Sequence, residues 1–538
     1  MTTKNTSDTK QSTINRGLTR RTALGVGGAL AASTMLGPSL TSARQATPLA
    51  GTELSARIDA VVVQIMEQSG VPGVAIGLVQ NDEVVHLAGY GVREVGKPDL
   101  IDADTVFQLA SVSKGMASAT VAAIIGDGFT SWDAVATELY PAFALSDAWI
   151  TGHTTLRDLF CHREGLPSHA GDLHEDLGFS LEEIVHQLRF FDAYGAFRAH
   201  YEYTNFGLSV AAYAAAAAAG EDWNDIAQRR VYEPLGMTST SSRFSDYIAR
   251  SNRAIPHQRI EPGVFQFVEQ RQPDAQTPAG GVSSTARDMT QYLRMLLGNG
   301  MLDGEQVIDS MALGETFLPH IAPNRVDNPA IDRTSFYGLG WNVSYGSEGQ
   351  MQFSHSGAFS LGAGTYISMV PSAGFGLIVL TNGSPTGAAE SVGLSVTDLV
   401  FRGEVAFDYV PILEEVIAAA TGYPHDRGID FSVQPEGFTE SLPLAVYAGD
   451  YWSDLWTLAT VTDEGGSLVL HLGPNATPYP MNHYSDNRFL FQPPGENGGP
   501  LSIVSFAVGP DGLADRLTID YLNETGQGTL LRVVEAES

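Results

Sequence analysis

The sequence predicts an α+β protein: an antiparallel sheet flanked by helices with a helical insertion, followed by a separate all-β, barrel-like domain. Three observations predict it. An amphipathic helix and a hairpin come first, between residues 53 and 87. A group of apolar strands joined by Gly- and Ser-rich turns comes late, between 336 and 380, after a mostly helical middle. From Leu444 the pattern becomes short strands broken by Gly-Pro, Asp-Gly and Pro-Pro-Gly turns.

In order, Leu54, Ile58, Val61, Val62 and Ile65 recur at helical spacing, giving 53–68 one apolar side. Val74–Val79 and Val84–Leu87 are strand-like and flank Asn81-Asp82, which reads as a hairpin turn. Thr105-Val106-Phe107 precedes an Ala-rich helix over Ser111–Ile125. Leu181–Leu188 and Leu208–Ala219 are helical, the alanine run at its end reading as a closely packed helix. Pro278–Thr285 is a Gly/Ser turn before a helix over Ala286–Leu297. Phe336–Val343, Gln352–Ser354, Gly364–Val370 and Phe375–Leu380 read as strands, and a helix near Gly387–Phe401 closes the block. Residues 403–443 form a linker with one helical stretch at Ile412–Ala420. In the last domain, 444–538, the clearest strands are Leu468–Leu472, Arg488–Phe491, Ile503–Val508 and Leu517–Leu522. No repeat of fixed period is visible.

The chain's 538 residues suit two or three domains, and 43% hydrophobic content suffices for packed cores. The formal charge of −31 excludes a general nucleic-acid binder, which needs basic clusters, and disfavours docking on anionic lipid. The single cysteine, Cys161, allows no intrachain disulfide and no thiolate metal cage, and reads as a small buried hydrophobe. Only four lysines occur: Lys4, Lys10, Lys97 and Lys114. Arginine stays charged, whereas a buried lysine amine can be neutral. Lys114 is therefore a candidate proton acceptor, the alternative being a surface leftover.

Residues 1–50 read as an export signal and disordered leader. Thr19-Arg20-Arg21-Thr22-Ala23-Leu24 precedes an Ala- and Gly-rich apolar run to about Leu40, and Ser42-Ala43 and Gln45-Ala46 offer small residues for cleavage. The paired arginines resemble a twin-arginine signal, implying a periplasmic or extracellular protein. The run is short for a span and ends in Gly37-Pro38, with an uncleaved anchor as the alternative. No later apolar run is long enough to span, so no stable membrane span is expected after processing.

Three short stretches could carry chemistry. In Ser111-Val112-Ser113-Lys114, residues three apart share one helix face, so the hydroxyl and the amine can meet. A serine is a poor nucleophile until a base takes its proton, and a neutral lysine can be that base. The alternative for Ser111 is a helix N-cap. Tyr203-Thr204-Asn205 lies just before the Ala-rich helix. A phenol can relay a proton if cations lower its pKa, and an amide can meet a substrate carbonyl; the alternative is a packed tyrosine with an Asn cap. His355-Ser356-Gly357-Ala358 falls at the end of one predicted strand before another. Gly357 permits close backbone approach and the strand edge could offer an N–H to an oxyanion, a plain hairpin turn being the alternative.

The order Ser-x-x-Lys, Tyr-x-Asn, His-x-Gly resembles the serine β-lactamase and penicillin-binding-protein superfamily, closest to the class C-like hydrolases that include esterases and D-aminopeptidases. The resemblance spans about residues 53–400. It is supported by Phe107-Gln108-Leu109-Ala110-Ser111, His162-Arg163-Glu164-Gly165-Leu166-Pro167, Pro278-Ala279-Gly280-Gly281-Val282 and Tyr337-Gly338-Leu339-Gly340-Trp341. It implies a serine hydrolase domain over 51–402 with the β-lactamase/transpeptidase fold, working by two-step acyl transfer without a cofactor on a small-molecule or peptide substrate. Ser111 would be the nucleophile. Lys114 and Tyr203 would share the acid–base work, with the first proton acceptor left open because coupled groups titrate together. Asn205 would hold the acyl side, and the amides of Ser111 and Ala358 would form the oxyanion hole. His355 stands where penicillin-recognising members have a lysine. As a weaker, pH-dependent cation it would favour esters, amides or D-amino-acid peptides over β-lactams. A β-lactamase or D,D-peptidase remains the alternative. Tyr447-Ala448-Gly449-Asp450-Tyr451 and the ending Leu531-Arg532-Val533 are similar to the lipocalin-like domain appended to many such hydrolases, expected here to shape or cover the cleft without catalytic groups.

Other classes compete. His153, His162, His169 and His174 cluster with Asp172 and Glu175, but no His-Glu-x-x-His helix is present. No Gly-x-Ser-x-Gly elbow marks an α/β-hydrolase. A non-catalytic binder or sensor on the same fold is the main rival, since fold does not fix function. The sequence leaves the oligomeric state open.

Overall fold

The computed structural model describes residues 51–324, 333–346, 349–420, 422–423 and 425–534, so the leader with its paired arginines lies outside the described residues. No helix among the described residues is long and apolar enough to cross a membrane.

A seven-stranded antiparallel sheet forms the frame. Its strands are β1 (Gly73–Gln80), β2 (Glu83–Gly91), β3 (Phe336–Tyr337), β4 (Asn342–Tyr345), β5 (Met351–Phe359), β6 (Ala363–Val370) and β7 (Phe375–Thr381), in the order β2-β1-β7-β6-β5-β4-β3. The first hairpin closes through Asn81 and Asp82 at φ 52° and 67°, the left-handed pair of a two-residue turn that matches strand twist. Alternate residues of the central strands pack on opposite faces. Val74, Ile76 and Leu78 of β1 and Leu377 and Val379 of β7 meet Leu54, Ile58, Val62 and Ile65 of helix α1 (Gly51–Ser69) and Val392 and Val396 of the closing helix Ala388–Arg402. Ala75, Val79, Ile378 and Leu380 turn the other way, into the core built on helix α2 (Ser113–Gly126) and the Ala-rich helix Asn205–Ala219.

Two expectations need correcting. The stretch Phe336–Val343 is two strands, because Gly340 at φ 80° turns the chain between them and a Cβ there would lie 2.7 Å from the Lys114 carbonyl. The strand expected to stop at Ser354 continues to Phe359, so His355–Ala358 lie inside β5. β6 pairs with β5 as far as Phe359↔Ala363, whereas β4 pairs only with Met351–Ser354. Past Ser354, one edge of β5 therefore faces the turn that begins α2 instead of another strand.

The linker carries a helix, Tyr409–Ala420, whose Val410, Leu413 and Ile417 are buried. Beyond it, nine antiparallel strands between Gly449 and Arg532 form a nearly closed, barrel-like sheet. Its two edge strands, Thr477–Pro480 and Asn482–Ser485, are consecutive in the chain with only Met481 between them. More strands form than the sequence pattern showed.

This second unit is fastened to the first through the five-residue helix Asp172–Asp176. Asp176 accepts from the amides of Glu496 and Asn497 at 3.0 and 2.9 Å and from Asn497 Nδ2 at 2.8 Å. His174 bonds the Leu455 carbonyl at 2.9 Å and stacks on Trp456, ring centroids 4.4 Å apart.

Candidate active site

The turn that presents Ser111 is built by strand pairing on one side and a strained residue on the other. Phe107–Gln108 pairs with Ser283–Ser284, and Leu109 N–H donates to the Val282 carbonyl at 2.8 Å. Ala110 then adopts φ 47°, uncommon for a residue with a side chain, and sends the chain into a 3-10 turn over Ala110–Val112 that runs into α2. Ser111 caps neither helix: the capping positions are Leu109 and Val112, and neither end has a side-chain cap. The hydroxyl instead lines a cavity of about 220 Å³ and bonds two side chains.

The first is Lys114, which is fully buried. Its Nζ lies 3.1 Å from Ser111 Oγ, 2.7 Å from Asn205 Oδ1 and 2.9 Å from the Ala279 carbonyl. Burial holds its pKa well below the usual lysine range; the charge of Asp172 opposes this and that of Arg271 adds to it. A neutral amine has two N–H groups and one lone pair. Asn205 Oδ1 and the Ala279 carbonyl can only accept, so they take the two N–H groups and leave the lone pair facing Ser111.

The second is Tyr203, whose hydroxyl donates to Ser111 Oγ at 2.8 Å. Burial raises its pKa above the usual phenol value, with the Ser111 bond opposing and Asp172 adding to the shift. The condition that cations lower this phenol does not hold: it is protonated at rest, although Lys114 Nζ sits 4.6 Å from its ring centroid. The segment 162–169 holds it in place. Thr204 donates from its backbone to His162 Nδ1 at 3.2 Å and from its hydroxyl to Glu164 at 2.6 Å, and His169 N–H donates to the Tyr203 carbonyl at 2.8 Å.

Asn205 opens the Ala-rich helix and is oriented by a residue outside the expected set. Its Nδ2 donates to Asp172 Oδ2 at 2.9 Å, which turns its oxygen toward Lys114. His169 Nδ1 meets the same carboxylate oxygen at 2.9 Å. Burial acts to lower the His169 pKa, but the bond to Asp172 and its charge outweigh that and raise it. The sequence offered Asp172 only as part of a metal set. Among the described residues no three metal-binding side chains converge, and the four histidines take separate partners: His153 the Trp149 carbonyl, His162 the Thr204 amide, His169 the Asp172 carboxylate and His174 the Leu455 carbonyl.

The β5 edge completes the arrangement. A Cβ on Gly357 would lie 2.3 Å from the Leu109 carbonyl and 3.1 Å from Ser111 N, so only glycine lets strand and turn meet. Phe359 C=O accepts from Gly362 N–H at 2.9 Å and so faces the β5–β6 hairpin. Backbone direction alternates along a strand, so Ala358 points its N–H out of the other edge, toward the Ser111 turn. Ser356 and Ala358 line the cavity. His355 does not: it is 1% exposed, bonded to Tyr337 Oη at 3.0 Å and to the Ser356 carbonyl at 2.7 Å. Burial and the Lys114 charge push its pKa down to about 3, so it is neutral and supplies no cation to a substrate.

The outer wall comes from both units. Arg271 lines the cavity, with Glu175 at 2.7 Å, Glu496 of the barrel-like unit at 3.4 Å, and the Phe359 ring 4.3 Å from its guanidinium carbon. Glu496 also accepts from the amides of Ser360 and Leu361 in the β5–β6 turn. Trp456, Tyr521, Leu522 and Glu524 extend the same wall. The expectation that the C-terminal unit shapes the cleft agrees with this placement. Cys161 is buried, as expected.

A family model described as Beta-lactamase matches residues 58–399, and one described as a domain of unknown function, DUF3471, matches 433–533. The unguisins hydrolase ungD of Aspergillus violaceofuscus is 25% identical over 522 residues, covering 90% of this chain and 92% of its own. The D-alanyl-D-alanine-carboxypeptidase/endopeptidase AmpH of Escherichia coli is 23% identical over 371 residues, covering 67% of this chain and 93% of its own. The solved structure of the octameric penicillin-binding protein homologue from Pyrococcus abyssi shares the fold, with a TM-score of 0.56 and 18% identity over 89% of this chain and 99% of that one.

Proposed function

Because the chain belongs to the Beta-lactamase family of acyl-serine hydrolases, we propose that it cleaves an ester or amide bond through an acyl-enzyme on Ser111, with substrates that need not carry a carboxylate. The observation that carries the reading is the coordination of Lys114: two obligate acceptors and the Ser111 hydroxyl around one depressed amine.

Lys114 takes the Ser111 proton as Oγ bonds the substrate carbonyl carbon. The N–H groups of Ser111 and Ala358 meet the oxyanion. Tyr203 passes its proton to the departing oxygen or nitrogen as that bond breaks, and the Lys114 ammonium restores it. Water then attacks the acyl ester by the same route in reverse. Asn205 holds Lys114 and faces the acyl group.

Against β-lactams and D,D-peptides stands the charge of the cleft. His355 is neutral and covered, and Arg271 is engaged by two glutamates, so a substrate carboxylate meets no free cation among the described lining residues. The test is a panel of short-chain nitrophenyl esters, amino-acid anilides and a chromogenic cephalosporin, run with wild type and Ser111→Ala. Ester turnover is expected, lost in the variant, with a serine-reactive phosphonate attached at Ser111. Labelling without turnover of any substrate points instead to a binder on this fold. Export by the twin-arginine route is part of the same proposal and rests on residues 1–50. An intact N-terminus on protein recovered from the native host's exterior would argue against a cleaved signal.

A further inference from the structure

One carboxylate in the cavity has no place in the acyl-transfer chemistry. Glu524 lies in the loop between the 3-10 turn Asp520–Leu522 and the final strand Thr529–Arg532. The loop is fixed: Gly528 N–H donates to Asn523 Oδ1 at 2.9 Å, and Trp456 Nε1 donates to the Gln527 carbonyl at 3.0 Å. Gln527 grips the first unit, its Nε2 donating to the Phe190 carbonyl at 2.9 Å and its Oε1 accepting from Asp192 N–H at 3.2 Å.

This places Glu524 on the cavity wall with Ser111, Tyr203, His169 and Asp172. It is open to solvent there, and no hydrogen bond or ion pair satisfies it among the described residues. The charged groups facing it are His169, Asp172 and Glu202; two are acids, and His169 is already held by Asp172. Partial desolvation by the surrounding cleft walls raises the Glu524 pKa although its side chain still reaches solvent; His169 opposes, and the two acids add to it. Asp172 itself, 5% exposed, leaves Oδ1 without a partner. Beside Ser111 the cavity thus offers an unpaired carboxylate, with Asp172 buried beside it and a guanidinium already spoken for.

We infer that Glu524 is a specificity-determining residue of the C-terminal unit that pairs with a cationic group on the substrate, so the preferred ester or amide carries an ammonium near the bond that breaks. The inference rests on the acyl-serine reading and deepens it. A charge-assisted bond in a partly enclosed site supports a preference of about 10- to 100-fold in kcat/KM.

Two matched substrate pairs test it. Butyrylcholine against 3,3-dimethylbutyl butyrate places the charge on the leaving side; alanine p-nitroanilide against isobutyryl p-nitroanilide places it on the acyl side. The readout is the kcat/KM ratio within each pair, which a general loss of catalytic geometry does not move. Wild type is expected to favour the charged member of one pair, which identifies the side. Glu524→Gln is expected to erase the preference and Glu524→Lys to reverse it. No preference in either pair, or one that survives Glu524→Gln, overturns the inference while Ser111-dependent turnover of the neutral esters stands. If no substrate shows Ser111-dependent turnover, the acyl-serine reading fails and takes the inference with it.

Discussion

Asn205 Oδ1 lies 2.7 Å from Lys114 Nζ, and it is an acceptor there because Asp172 takes an Nδ2 hydrogen. Asp172, Asn205 and the Ala279 carbonyl, from three segments, therefore decide which way one lone pair points. The short helical turn brings Ser111 and Lys114 together; Asp172 and Asn205 make the encounter productive.

The pH dependence follows from this. An ammonium at Lys114 cannot accept the Ser111 proton, so the active fraction grows as the amine loses its charge. The folded pKa lies well below the ordinary lysine value, so kcat/KM should climb with pH and level off before that value is reached. Lys114→Arg should abolish the rising limb, since a guanidinium stays charged, and cut kcat/KM by about 10³-fold. A pH–rate profile of both proteins checks this; an unchanged limb in Lys114→Arg would assign the base elsewhere.

Tyr203 answers to a different signature. Burial keeps the phenol protonated, so its ionisation does not set the rising limb. Tyr203→Phe removes the donor to Ser111 Oγ and to the leaving group while leaving Lys114 in place. The expected result is a plateau lower by about 10²- to 10³-fold with the limb near its original position. A limb displaced far toward alkaline pH would mean the phenol is the base.

How far the site was legible in the sequence depends on distance along the chain. Ser111 and Lys114 share one helical turn, and Tyr203 and Asn205 are two residues apart, so local spacing exposed each pair. Asp172, Arg271, Glu496 and Glu524 reach the cleft from four separate segments, two of them in the C-terminal unit, and no local pattern marks them. The charge of His355 is not legible in the sequence, because residue type gives an ordinary pKa and burial sets the real one. The sheet was legible where strands are buried on both faces, as in β7. Strands such as Gly449–Ser453 and Thr477–Pro480 leave no clear pattern because they are short and half-exposed, with polar or proline residues between the apolar ones.

Asp172→Asn probes the orienting carboxylate. Its negative charge favours the Lys114 ammonium, so neutralising it should lower the amine's pKa further. The rising limb of the pH–rate profile should then move toward acid. Both bonds fall on one oxygen, which an asparagine can keep, but a neutral amide accepts more weakly than a carboxylate, so a fall of about 10-fold in the plateau is expected from a less firmly held Asn205. A limb that stays in place would mean Asp172 acts on the site through packing alone.

The oxyanion assignment can be tested without touching a side chain that reacts. Ala358 N–H points out of the free edge of β5, so a proline there removes the donor without breaking a bond to β6. Proline's fixed φ lies within the range edge strands accept. Ala358→Pro should therefore keep the fold, read by circular dichroism and melting temperature, and lose about 10²- to 10³-fold in kcat with little change in KM. Ala358→Gly retains the N–H and should stay within a few-fold of wild type. Gly357→Ala gives the contrast: its Cβ meets the Leu109 carbonyl, so it should lower both stability, by about 1–3 kcal/mol, and activity. If Ala358→Pro kept full kcat while folded, the second oxyanion donor would have to be sought away from β5.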